Sequence, residues 1–204
     1  MKKIGFIIAA FLSSSFAFAQ TAQFGIRAGA NLANITSNQG TSSTARVGFH
    51  AGLLAHIHVA PSIAIQPEAV YSSQGFKYVY DAGGRYNGEH SVELDYVNIP
   101  ILFQYMPGSG FRLETGPQLG ILTSVNDRLN GTTTGLITTS DFKTTDFSWA
   151  FGAGYMGTSG LGIDLRYNVG LSNVRNDPSF TSNVHNGVFQ AGLFYQFNDT
   201  YRRR

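Results

Sequence analysis

Six charged side chains carry the chemistry this sequence could do collectively. Arg112 and Glu114 stand two positions apart, as do Asp164 and Arg166, while Arg27 and Glu68 sit between apolar neighbours in the same way. On an extended chain residues i and i+2 share a face, so each close pair points one way. Charges gathered in an enclosed place must be paired, because an isolated buried charge costs several kcal/mol or more. Two uses follow: an interior salt-bridge network that fills a core, or the charged constriction of a channel. The histidines offer less. His56 and His58 could share a metal ion, but a metal site needs further ligands and a carboxylate behind them, and the spacing supplies neither. His90, Asp95, Asp141, Asp146 and His185 are acid–base groups with no nucleophile motif beside them. No catalytic residue, metal ligand or cofactor is therefore assigned, and the absence of cysteine excludes thiolate chemistry.

The elements that must position these residues are strands. Alternation of apolar with polar or glycine residues, the period of a half-buried strand, recurs in eight segments: "FGIRAGANL" from Phe24, "RVGFHAGLLAHIHV" from Arg46, Ile63 to Gln74, "VELDYVNIPILFQY" from Val92, Phe111 to Ser124, Phe147 to Tyr155, Leu161 to Leu171, and "QAGLFYQF" from Gln190. Arg46, Glu93 and Asp95 fall on the polar parity with the six charges above. In the fourth segment the apolar parity moves from Val92, Leu94 and Tyr96 to Val97, Ile99, Ile101, Phe103 and Tyr105, and a β-bulge near Tyr96 is the expected cause. Pro67, Pro100 and Pro117 cannot donate to a ladder, so a missing bond or a bulge is expected at each.

Connections alternate between short turns (60–62, 106–110 and 157–160) and long polar loops, such as "NDRLNGTTTGLITTSDFKTTD". That alternation, with an even strand count, is the pattern of an outer-membrane barrel with short periplasmic turns and long extracellular loops. The glycines decide which face is inside. Gly25, Gly29, Gly52, Gly116, Gly152, Gly162 and Gly192 lie on the polar parity, where the narrow lumen of eight strands needs small residues and a water-facing surface does not. The reading is an all-β, eight-stranded antiparallel transmembrane β-barrel, its apolar parity against lipid. Phe24, Tyr105, Phe147, Tyr155, Tyr167 and Phe197 are expected to form the interfacial girdles.

The front of the chain reads as an address. Lys2 and Lys3, the apolar run Ile4 to Leu12 and "AFA" before Gln20 form a secretory signal peptide, residues 1–19, which leaves 20–204 as the barrel domain. Charged residues make up only 13% of the chain, about half the share of a soluble domain, which argues for a surface facing something other than water. No basic and aromatic arrangement suggests nucleic acid.

"GIRAGANLANI", "GFHAGLLAHIHV", "IQPEAVYSSQGFKY", "LDYVNIPILFQY" and "FRLETGPQLGILT" resemble the successive strand motifs of the PorT-like family of small outer-membrane β-barrels, porin-family type. The terminal strand is similar to the signal read by the outer-membrane insertion machinery, carried here by Gln190, Gly192, Tyr195 and Phe197. The resemblance implies a place in the outer membrane of a Gram-negative cell; some members of the family are implicated in secretion, which makes a secretion accessory one expected role, and the barrel is expected to be a monomer. The residues themselves point to a non-enzymatic barrel with a filled lumen, structural or presenting its loops to an extracellular partner. Tyr78, Tyr80 and Tyr86 could form a recognition surface or belong to the girdle, and the Arg202 to Arg204 tail could touch anionic lipid. The alternatives are a small passive porin and a hydrolase or acyltransferase at the rim.

Overall fold

The computed structural model describes residues 22–197 apart from 38–42, 82, 85, 109 and 177–182; residues 1–19, expected to be a signal peptide, and the Arg202 to Arg204 tail lie outside the described residues. The strands are β1 (Ala22–Ser37), β2 (Ser43–Ala60), β3 (Ile63–Tyr80), β4 (Gly88–Gly108), β5 (Phe111–Leu129), β6 (Thr132–Thr133), β7 (Thr145–Met156), β8 (Leu161–Gly170) and β9 (Val184–Gln196). The two-residue β6 pairs only with the end of β5. The other eight form a ring in which each is antiparallel to the next and β9 returns to β1, from Gly25↔Gln196 to Ser37↔Val184. Closure leaves no row of unpaired N–H and C=O groups, which is the condition for a sheet to stand in hydrocarbon.

The faces are inverted relative to a water-soluble barrel. Phe24, Leu53, Phe103, Tyr155, Ile163 and Leu193 stand exposed on the outside, while Arg27, Asn31, Gln66, Glu68, Gln118 and Asn168 are buried within. All six expected girdle aromatics are exposed on the outward parity. Only an apolar surrounding makes this arrangement favourable, since exposed aliphatic and aromatic groups cost nothing in lipid and the buried polar groups find partners inside. Leu53, 63% exposed on the outer wall, gives a direct check. Leu53→Arg should destabilise the folded barrel by about 2–4 kcal/mol, the cost of a cation at the bilayer midplane, and Thr44→Arg at the loop end of the same strand by about 0–1 kcal/mol. Urea titration of the folded band in lipid vesicles reads both.

The fourth strand corrects one expectation. β4 keeps a single parity throughout: Val92, Leu94 and Tyr96 point inward with Asn98, Leu102 and Gln104, and all are buried. The extra residue lies opposite, on β5, where Asp95↔Ser124 is followed by Tyr96↔Leu122 and Thr123 is left over. The move of the apolar parity at Tyr96 is therefore a change of surroundings, not of face. Below Tyr96 lipid lies outside and the interior is polar; above it water lies outside and the interior is apolar. Ile35, Phe76, Val92, Leu94, Tyr96, Leu122, Val174 and Val184 form this upper core, with Tyr78, Val125, Ile137 and Phe142 packed against it. Glu93 and Asp95, expected in the lumen, take the opposite parity to these buried residues. Glu93 pairs with Arg46 at 2.7 Å and Arg128 at 3.1 Å.

The prolines behave as expected. The β2–β3 ladder skips from Leu54↔Glu68 to Ile57↔Ile65 beside Pro67. The β3–β4 ladder skips from Pro67↔Ile101 to Val70↔Asn98, and the β4–β5 ladder from Pro100↔Gln118 to Phe103↔Thr115, past Pro117. Register is the same on both sides of each gap, so a missing donor costs local bonds without sliding the strands.

Candidate functional site

Within the polar interior, four strands bring five of the six predicted charges into one network. Arg27 on β1 donates to Glu68 at 2.8 Å and to Asp164 at 2.7 Å. Arg166 on β8 grips both oxygens of Glu68, at 2.9 and 3.0 Å, and its Nε donates to Glu114 at 2.8 Å. Gln66 completes Glu68 at 2.8 Å and Gln104 completes Glu114 at 2.9 Å. The bidentate fork fits a planar guanidinium to a planar carboxylate. Arg112 lines the same space, but its guanidinium lies 4.6 Å over the Phe194 ring and donates to the Met156 sulfur at 3.1 Å. Three arginines and three carboxylates thus surround a cavity of about 10 Å³, room for no more than about one water molecule.

Glycine makes this packing feasible. A Cβ at Gly162 would stand 2.1 Å from Cζ of Phe194, and one at Gly152 would stand 2.8 Å from a Glu114 oxygen. The chain has small residues there because large ones cross the lumen from neighbouring strands. Above the charges, Asn31 donates to Ser72 Oγ and to the carbonyls of Phe49 and Ser73, all at 2.9 Å, and its oxygen meets His50 Nδ1 at 2.8 Å and Gln190 Nε2 at 3.0 Å. His50 is thereby part of the filling. Near the turn end His56 meets Gln66 at 3.2 Å and lies edge-on to His58, ring centroids 4.6 Å apart. Among the described residues no three His, Cys, Asp or Glu side chains are gathered in a way that could hold a metal ion.

The loop end holds a second arrangement, of which sequence reasoning named only Tyr78, Tyr80 and Tyr86. β3, β4 and β5 continue beyond the apolar belt as a twisted sheet. Its inner face, the upper core and the 130–144 segment enclose a cleft of about 680 Å³. Phe76, Tyr78 and Tyr80 line it from β3, Tyr86 from the loop that follows, and Leu136, Ile137 and Phe142 from the 130–144 segment. The walls are pinned by buried polar groups. His90 sits between Asp127 (3.0 and 3.1 Å, through Nδ1) and the Tyr86 carbonyl (2.8 Å, through Nε2), and Tyr78 stacks on its ring at 4.9 Å. Thr134 donates in turn to Asp127. Burial, together with Asp127 nearby, pushes the Tyr78 phenol up to about 12, so it remains a neutral hydroxyl at ordinary pH. On the far side Lys143 N–H donates to the Val174 carbonyl at 2.8 Å, and Asn176 bonds both the Asp141 and Ser140 carbonyls at 3.0 Å. The further signal available was Leu136, Ile137 and Phe142, three apolar residues set in a loop otherwise rich in threonine.

Of the other acid–base candidates, Asp146 and His185 lie close enough for their charges to interact, while His90 and Asp141 are engaged elsewhere. Both ring nitrogens of His90 face acceptors that brace the wall. Asp146 accepts the Ser172 hydroxyl directly at 2.7 Å, with no imidazole between them, and Asp141 accepts from the Thr138 backbone N–H at 2.7 Å. Three of the predicted insertion-signal residues share the closing strand and Phe197 follows it directly: Gln190 is buried on the inner face, Tyr195 and Phe197 project outward with ring centroids 5.5 Å apart, and Gly192 pairs with Gly29. Phe197 N–H donates to the Phe24 carbonyl at 2.8 Å.

A closed ring of eight antiparallel strands, apolar outside and filled with paired charges inside, defines an integral outer-membrane β-barrel. The chain belongs to the outer membrane protein beta-barrel domain family, whose sequence pattern matches residues 18–176. Among solved structures it is similar to Neisserial surface protein A, with 18% identity over 86% of this chain and 99% of that one and a TM-score of 0.52. It is also similar to OprG from Pseudomonas aeruginosa (16% identity, 87% and 97% covered, TM-score 0.48). Ail of Yersinia pestis, solved with the heparin analogue sucrose octasulfate, is a further relative in fold (13%, 86% and 99%, TM-score 0.49). No curated protein matches the sequence significantly. The protein resides in the cell outer membrane, with its short turns periplasmic and its long loops extracellular.

Proposed function

We propose that this barrel acts from its extracellular end, as a rigid membrane-seated platform that presents loops to a partner, and that it neither conducts solutes nor catalyses a reaction. The filled lumen carries the reading. Six charged side chains converge on a space of about 10 Å³, and eight strands leave little width for an aqueous path around them. The absence of catalysis is supported by His90, Asp141 and Asp146 at the rim, whose side chains are engaged in hydrogen bonds within the fold. A secretion-accessory role is the finer version that the PorT-like resemblance suggests, and it rests on that resemblance. The platform works as a monomer, with lipid around the belt and the insertion machinery docking on Gln190, Gly192, Tyr195 and Phe197 during assembly. The test is a planar bilayer recording of purified folded protein. A silent membrane is the expected result, and stepwise conductance that disappears on denaturation would establish the porin alternative instead.

A further inference from the structure

We propose that the extracellular cleft is a binding site for a neutral, predominantly apolar small molecule, an inference that deepens the platform reading and rests on it. Size is the first ground. About 680 Å³ lies within the range of roughly 300–1,000 Å³ that holds drug-sized ligands. Chemistry is the second. Phe76, Tyr78, Tyr80, Ile137 and Phe142 dominate the lining, and its charged groups are one carboxylate and one guanidinium, Asp141 and Arg175. These carry no net charge, so the cleft selects neither an anion nor a cation. The third ground is the floor. Val92, Leu94 and Val174 are completely buried beneath the cleft, which seals it from the polar lumen and makes it a pocket, not the vestibule of a channel.

The mouth supplies an independent observation. Val79 is 68% exposed, Tyr80 42% and Leu136 46%. They lie past the Lys77–Glu89 ion pair, itself solvent-exposed, and so outside the lipid belt. Apolar groups clustered around a concave opening in water mark a surface meant to be covered. The His90–Asp127–Thr134 brace and the Asn176 bonds to the 130–144 segment hold the walls apart before anything binds, and such preorganisation lowers the cost of binding.

Titrating 1-octanol into the protein in lipid nanodiscs, with isoleucine, leucine and valine methyls observed by NMR, tests the proposal. Methyls of Ile35, Ile137 and Val184 should shift along a saturating curve. Those of Leu53, Ile163 and Leu165 on the belt should drift in proportion to alcohol dissolved in the bilayer. Leu136→Asp, at an exposed position that cannot unfold the barrel, should raise the midpoint at the cleft methyls tenfold or more and leave the belt methyls unchanged. Non-saturating shifts of equal size at belt and cleft would overturn the site, and so would a midpoint indifferent to Leu136→Asp. The bilayer recording separates this from the broader reading, since a barrel that conducts but still shows a saturable cleft keeps the ligand site and loses only the platform.

Discussion

Replacing Glu68 with alanine is expected to be among the most damaging single changes in this protein. The substitution leaves the guanidiniums of Arg27 and Arg166 facing each other without the carboxylate that both bind. Breaking a buried pair by removing one partner costs about 3–5 kcal/mol, because the surviving charge stays desolvated. Here two cations survive, although Asp164 and Glu114 each retain one of them, so the loss should lie in that range and not double it. Glu68→Gln keeps the shape and some acceptor capacity and should lose less. The unfolding midpoint in urea, followed by the mobility of unboiled protein on a denaturing gel, orders the variants. A triple variant in which Arg27, Glu68 and Arg166 all become apolar should recover much of the loss. If Glu68→Ala were as stable as the parent, the network would not be holding the lumen.

The second large effect belongs to the upper core and should leave the barrel standing. Leu94 is completely buried, and Leu94→Ala should cost about 2–5 kcal/mol through lost burial and the cavity left behind. Most of that cost falls above the membrane, on the packing of Phe76, Val174, Ile137 and Phe142 around the vacated space. Proteolysis of intact cells should therefore cut the 130–144 segment many times faster in the variant, while the folded band of the membrane-embedded part remains. Parallel loss of both signals would show that the upper core and the polar lumen unfold as one unit.

How much of this was legible in the sequence differs between the two interiors. Arg27, Glu68, Glu114, Asp164 and Arg166 could be assigned to one lumen because period-2 alternation fixes faces and the glycines of that parity identify the crowded side. Arg112 was placed correctly but not its partner, since a cation above the Phe194 ring needs a three-dimensional neighbour that alternation does not encode. Val92, Leu94 and Tyr96 were read as the start of a slipped lipid face. Alternation reports that a strand has two unlike sides; it does not report which solvent each side meets, and on β4 the solvent changes midway. Of the cleft only Tyr78, Tyr80 and Tyr86 were legible, as a candidate recognition surface or part of the girdle, and its enclosing walls were not, for a further reason. Its walls depend on bonds such as Asn176 to the Ser140 carbonyl, made between loops far apart in sequence and with no periodicity to announce them.

The membership of the upper core bears on the order in which the molecule can be assembled. Ile35 comes from the first strand and Val184 from the last, while Val92, Leu122 and Val174 lie between them in sequence. The core cannot be complete until β9 has joined β1, even though parts of it, such as Phe76 beside Val92, come together as soon as β3 and β4 pair. The cap is thus a record of finished insertion: a cell surface bearing the closed cleft is one on which the last strand has already found the first.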